Sequence, residues 1–237
     1  MLPLRRIPME KIENCRDLGG YACADSRVTQ FGKLLRCGIP SEPSDADIAA
    51  LRDYGIREVI DLRGNYEAEK QPSVFRDDPA FRYHHLSLYE INPIAILNSK
   101  GLWDVYQVSV EQYRENYAAV LRILLALEGP ALYHCFLGKD RTGILTALLL
   151  SLAGAAREDI VADYQVSLTY LMRFYLQEAQ TEAGQLWDSH REHLGSDPEH
   201  MERLLAYWEE RYGGPAGYVA ALGFSPEEIT RLGGLLK

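Results

Sequence analysis

Short apolar runs and stretches of helical period alternate through the first half of the chain, and helical period dominates the second. Residues 19–37 carry Gly19-Gly20 and short apolar runs, which predict strands joined by turns. PSDADIAALRDYG follows: Ser44 caps, Asp47 stands three residues on, Ile48 and Leu51 share a face and Gly55 ends the helix. REVIDL, 57–62, predicts a short buried strand, and RYHHLSL, 82–88, another. Over 103–126, Tyr106, Val110, Tyr113, Tyr117, Val120, Leu121 and Leu124 recur mostly at steps of three and four, the pattern of one long helix stopped by Gly129-Pro130. ALYH, 131–134, predicts a strand. Helices are then expected over 141–154, 157–180, 182–194, 198–212 and 225–236, the last opened by the Ser225-Pro226-Glu227-Glu228 capping box. The pattern points to an α/β fold: a small, mostly parallel central sheet flanked by helices, with a helix-rich C-terminal half.

Composition leaves that picture intact. The chain has 237 residues, 47% of them hydrophobic and 25% charged, which suits one large domain or two small ones with ample length for a core. ILTALLLSLAGAA is too short to span a bilayer and reads as a buried helix, and MLPLRRIPMEKIEN has no apolar region after its charges. Neither stable membrane insertion nor a cleaved signal peptide is expected. A net charge of −9 argues against nucleic acid and anionic membranes as partners, so an anionic substrate must be held by a local concentration of donors. Four cysteines, at 15, 23, 37 and 135, fit neither a metal-binding spacing nor a disulfide framework. A reduced, cytoplasmic protein is the simpler expectation, with export by a route lacking a cleavable signal left open.

The chemistry concentrates in HCFLGKDRTG, 134–143. A strand, a tight loop and a helix start gather backbone N–H groups and the positive end of a helix dipole around one point, which makes an anion site. Phe136, Leu137, Gly138 and Lys139 supply the cradle's backbone, and Gly138 lets it curl. Arg141 offers a planar fork that fits two phosphate oxygens. Cys135 lies at the base, where the same positive field favours thiolate and a bound phosphate presents phosphorus for in-line attack. Thr142 is placed to donate to that sulfur, Asp140 to serve as acid and then as base, and Lys139 to add charge at the mouth. His134 is expected to fix the loop through its ring N–H rather than to transfer protons. A core thiol beside a surface cation is the plainer reading, but it leaves Lys139 and Arg141 crowding a helix N-terminus that disfavours cations. A nucleotide-binding P-loop is excluded, because Tyr133 and Asp140 stand where it needs Gly and Ser or Thr. Phosphate or sulfate is expected to fit the loop.

HCFLGKDRTG resembles the active-site loop of a bacterial tyrosine phosphatase family that includes secreted mycobacterial and listerial enzymes. Those act on phosphotyrosine, phosphoserine/threonine and phosphoinositides. NCRDLGGY (14–21), LLRCGIPSEPSDADIAALRDYGIREVIDLRG (34–64) and YGGPAGYVAALGFSPEEITRL (212–232) are similar to further family elements, so the likeness runs over nearly the whole chain. It implies a cysteine-phosphatase-like fold over 1–237 as a single domain, with a lid or helical insertion around 165–210. It also implies Cys135 as nucleophile, Arg141 as phosphate clamp and Asp140 as acid, since the Trp-Pro-Asp loop of eukaryotic tyrosine phosphatases is missing, and it implies that no metal or cofactor is required. Trp103-Asp104 lacks its proline, and Trp103 is read as helix packing. The implied substrates are phosphorylated protein, phosphotyrosine first, and phosphoinositide, for which Lys139 argues. Cys15 stands where the family usually has an aromatic residue; it is either a small apolar substitute or, if near Cys135, a partner for a protective disulfide.

Other residues carry two readings each. Asp61 and Arg63 end a strand, where they either border the pocket or form a structural ion pair, and Arg16 and Asp17, after Asn14, stand likewise. His84 and His85 alternate faces on a strand and do not share an ion, and His190 and His193 lack a third ligand. QVSLTYLMRFYLQEAQ, 165–180, is read as a core-facing helix in preference to a lid.

Overall fold

Alternation along three short parallel strands builds two hydrophobic layers, one on each face of a sheet. The computed structural model describes residues 5–40, 42–90, 101–178 and 195–237. Five strands form the sheet: β1 (Arg16–Asp17), β2 (Leu34–Cys37), β3 (Glu58–Asp61), β4 (Arg82–His85) and β5 (Ala131–His134), in the order β1-β2-β5-β3-β4. Only β1 runs antiparallel to its neighbour. On β5, Ala131 and Tyr133 join the larger core while Leu132 faces the smaller one; on β3, Ile60 and Val59 divide the same way. The register sets Cys37 and Asp61 on either side of His134. The loop after β5 therefore starts at the carboxyl ends of three parallel strands, where α/β sheets receive ligands.

Helices cover both faces. α1 (Asp45–Asp53) opens with the Ser44–Asp47 capping box read from sequence. α2 is Asn65–Lys70. The long helix expected over 103–126 is two, α3 (Leu102–Gln112) and α4 (Arg114–Ala126), parted at Tyr113, whose φ of −108° and ψ of 31° leave the helical region. The break lets the halves bury their stripes on different partners, α3 on α8 (Pro198–Tyr212) and α4 on α10 (Pro226–Gly234). α5 (Asp140–Ala153) is buried on all sides beyond its first residue as far as Leu150, which is why its sequence is apolar all round, and Gly154 ends it at φ 86°.

The helix expected over 157–180 is also divided, into α6 (Arg157–Tyr170) and α7 (Met172–Glu178), around the buried Leu171. Over 165–178 Ser167 and Leu171 are buried while Leu168, Met172 and Leu176 are exposed, so the core-facing reading holds only in part. The expected helix 182–194, with His190 and His193, and part of the 165–210 insertion lie outside the described residues. α9 (Pro215–Ala221) was not anticipated. The strand expected over 82–88 ends at His85. Among the described residues no helix is long and apolar enough to cross a membrane.

Candidate active site

The site is a loop whose carbonyls are all pulled outward. Phe136 O accepts from Ile39 N at 2.7 Å, and Leu137 O and Gly138 O each accept from Asn14 Nδ2 at 3.0 Å. Gly138 O also accepts from Arg36 Nη2 at 2.6 Å, and Lys139 O from Gly143 N at 2.7 Å. Each peptide is trans, so its N–H points opposite to its C=O. Fixing those four carbonyls turns the N–H groups of residues 137–140 to the concave side, where Cys135 begins the loop. Gly138 is required twice over: its φ is 65°, and a Cβ there would lie 2.1 Å from Cys37 O.

Arg141 leaves the first turn of α5 and is held end-on by Glu67 of α2. Nη2 donates to Oε1 at 2.8 Å and Nη1 to Oε2. This leaves Nε–H and one N–H on each terminal nitrogen for a second, side-on partner. Glu67 is itself fixed by Gly64 N at 2.9 Å. The Tyr89 ring lies beneath the guanidinium, 5.4 Å from its carbon. Burial works against the charge on Arg141, but Glu67 and Cys135 more than offset it and raise its pKa. Sequence reasoning missed Glu67, since nothing local links NYEAEK to a residue 74 positions away.

Asp140 points its Oδ1 at the Tyr106 hydroxyl, 2.7 Å away, and the Lys139 ammonium lies 3.6 Å from the same oxygen. Lys139 departs from expectation: it is not at the mouth but fully buried, donating to Gly195 O at 2.9 Å. The Thr142 hydroxyl is buried and makes no hydrogen bond among the described residues, so the bond expected to the Cys135 sulfur is not formed. His134 Nδ1 sits 3.1 Å from Cys135 O. Burial pulls the His134 pKa down, which keeps the ring neutral and makes Nδ1–H the donor. The ring is thereby tied to the first carbonyl of the loop.

The remaining candidates lie behind the loop. Arg16 donates to Asn14 Oδ1 at 2.5 Å and to Asp163 Oδ1 at 2.8 Å, and Arg36 to Asp163 Oδ2 at 2.6 Å. Burial alone would raise the Asp163 carboxyl, but the two arginines hold it well below the ordinary carboxylate range. Two buried cations share this one carboxylate. Arg16 thus supports the site through Asn14 and Asp163 without lining it. Asp17 instead accepts from Gly19 N at 2.6 Å, Gly32 N at 2.8 Å and the Tyr54 hydroxyl, and so fixes a turn. Asp61 and Arg63 are fully buried and pair with each other at 2.6 Å, the structural of their two readings. Asn14, Arg36 and Asp163 were missed, because the contacts that define them span 102–147 positions.

Phe136 and Leu137 line a cavity of about 250 Å³ together with Ile39, Gln71, Leu171 and Phe174. Cys15 is buried and unpaired, and burial pushes its thiol up to about 12; it behaves as the small apolar substitute. His84 bonds Glu58 at 2.7 Å and His85 the Arg63 carbonyl at 2.9 Å. Trp103 packs on Tyr207 with ring centres 5.6 Å apart.

A family model described as "Tyrosine phosphatase family" matches residues 7–236. The chain is 30% identical over 231 residues to a protein named tyrosine-protein phosphatase from Nostoc commune, across 92% of this chain and 76% of that one. It is 29% identical over 272 residues to the triple specificity protein phosphatase PtpB of Mycobacterium tuberculosis, across 94% and 96%. Among solved structures, P. aeruginosa TpbA aligns at a TM-score of 0.39 and 18% identity, over 62% of this chain and 78% of that one.

Proposed function

The chain belongs to the tyrosine phosphatase family, and from that premise we propose that it hydrolyses phosphotyrosine through a phosphocysteine on Cys135. In the first step the Cys135 sulfur attacks phosphorus; a P–S bond forms, the P–O bond to the phenol breaks, and Asp140 gives its proton to the departing oxygen. In the second, water attacks phosphorus, Asp140 takes the proton, the P–S bond breaks, and phosphate and thiolate are restored. The inward N–H groups of the loop and the side-on fork of Arg141 hold the equatorial oxygens through both steps. The buried Thr142 hydroxyl is available to donate to the leaving sulfur. Residues 1–237 act as one phosphatase domain, a reading supported by the match over 7–236.

The observation that carries this is the outward tethering of four consecutive carbonyls around Cys135 beside an arginine fork with one face free. Phosphotyrosine is favoured over phosphoinositide because Lys139, the residue that argued for a multiply phosphorylated headgroup, is buried and spent on Gly195. Assay of p-nitrophenyl phosphate and a phosphotyrosine peptide with wild type and Cys135→Ser tests the reading. A loss of about 10³-fold or more in the variant is expected for a missing nucleophile; equal activity, or none in either protein, overturns it. Parallel assay of phosphoserine, phosphothreonine and phosphoinositide substrates ranks the classes, and a higher kcat/KM for the lipid reverses the preference.

A further inference from the structure

We propose that Tyr106 is a positioning residue for Asp140, fixing one carboxyl oxygen so that the other carries the proton exchanged with leaving group and water. The inference rests on the reading of Asp140 as the acid. Tyr106 projects from α3, fully buried, and its hydroxyl lies 2.7 Å from Asp140 Oδ1 and 2.9 Å from the Tyr164 hydroxyl of α6. Burial, with Asp140 and Tyr164 beside it, pushes its pKa well above the ordinary value, so it remains a hydroxyl. A phenol has one proton to give, and a carboxylate only accepts. The Tyr106 hydroxyl is the donor to Oδ1, with the Tyr164 oxygen as a second acceptor beside it.

The Lys139 ammonium, 3.6 Å from Oδ1, adds to it. With Oδ1 committed, Oδ2 is the oxygen left to hold the transferable proton, and the side chain is 24% exposed. The Tyr106 ring is fixed in turn, packed edge-on against Tyr164 and against His200, with ring centres 6.3 Å away in both cases. Asp140 opens the first turn of α5, and one directed bond selects among its side-chain rotamers.

The test is the dependence of kcat/KM on leaving-group acidity. Aryl phosphates from phenyl to 2,4-dinitrophenyl phosphate are assayed with wild type, Tyr106→Phe and Asp140→Asn. Tyr106→Phe is expected to lose about tenfold on phenyl phosphate and less than about twofold on the dinitrophenyl ester, whose phenolate leaves without a proton. Asp140→Asn is expected to steepen the dependence further. A uniform loss, or none, with Tyr106→Phe while Asp140→Asn steepens the series overturns the role of Tyr106 and leaves the acid in place. A flat series with Asp140→Asn overturns the acid assignment and this inference with it. If Tyr106→Phe does not fold, Tyr106→Met removes the hydroxyl with a flexible side chain that repacks the same space. The same steepening is then expected, at about tenfold on phenyl phosphate, and a flat series overturns the proposal.

Discussion

Single residues at this site are fixed by geometry that tolerates little substitution. Gly138 combines a left-handed backbone with a neighbour, Cys37 O, where a Cβ would intrude. Gly138→Ala is expected to cost about 1–2 kcal/mol for the backbone conformation alone, with roughly 1–3 kcal/mol more for the collision. A fall in thermal midpoint together with lost phosphate binding checks it. Glu67 is the second case. Its carboxylate spans both terminal nitrogens of Arg141 and so orients the free face of the fork. Glu67→Gln keeps the shape but removes the charge and one acceptor, and kcat/KM on p-nitrophenyl phosphate is expected to fall about tenfold, the equivalent of one charge-assisted hydrogen bond. Inorganic phosphate should inhibit less tightly in the same variant; tighter inhibition would mean that Glu67 competes with phosphate for Arg141.

At the scale of elements, the unit that matters is β5, its loop and α5, and each part constrains the next. β5 is central in the sheet, so its end is held on both sides by β2 and β3. α5 is buried nearly all round, so its N-terminus cannot shift without disturbing the core. Asp163 on α6 ties the N-terminal segment, through Arg16, to β2, through Arg36, and Arg36 in turn holds the loop at Gly138 O. Asp163→Asn leaves two buried guanidiniums without their counter-charge. A destabilisation of about 3–5 kcal/mol is expected, read as a shift in denaturant midpoint. The divided helices follow the same logic: α3 and α4 part at Tyr113 because they rest on different neighbours, α8 and α10.

For the whole molecule, buried ionisable groups set the response to acid. Arg16 and Arg36 hold Asp163 below its ordinary pKa, and Arg63 and Tyr83 hold Asp61 there, each against the effect of burial. A carboxyl depressed in the folded state contributes stability above its unfolded pKa, about 3.9, and loses it as pH falls below that. His134, whose pKa burial pulls down, is neutral in the fold; the unfolded ring takes up a proton below about 6.5, so its contribution also declines with falling pH. Asp17, raised chiefly by burial, opposes them. The thermal midpoint is therefore expected to decline gently below about pH 6.5 and steeply below about pH 4. Asp163→Asn should flatten the steep part, and an unchanged slope would show that the network is not what acid disrupts.

The linear chain by itself determined the chemistry and the core of the fold. HCFLGKDRTG, between a strand and an apolar helix, identified the cradle, because a phosphate loop is built from consecutive residues and its helix start is written in the same ten positions. β5, α1 and α8 were legible for a similar reason: their caps and stripes are local. Only the tertiary structure decided which side chains serve the loop from afar. Asn14, Arg36, Glu67 and Tyr106 reach it across 34–124 positions, Asp163 holds Arg36 across 127, and no periodicity or spacing records such a contact. It also moved Lys139 from the mouth to the interior and ended helices at Tyr113 and Leu171. A charge seeks water or a buried acceptor according to what packs around it, and a helix ends where its neighbours do. Neither condition exists until the elements are assembled.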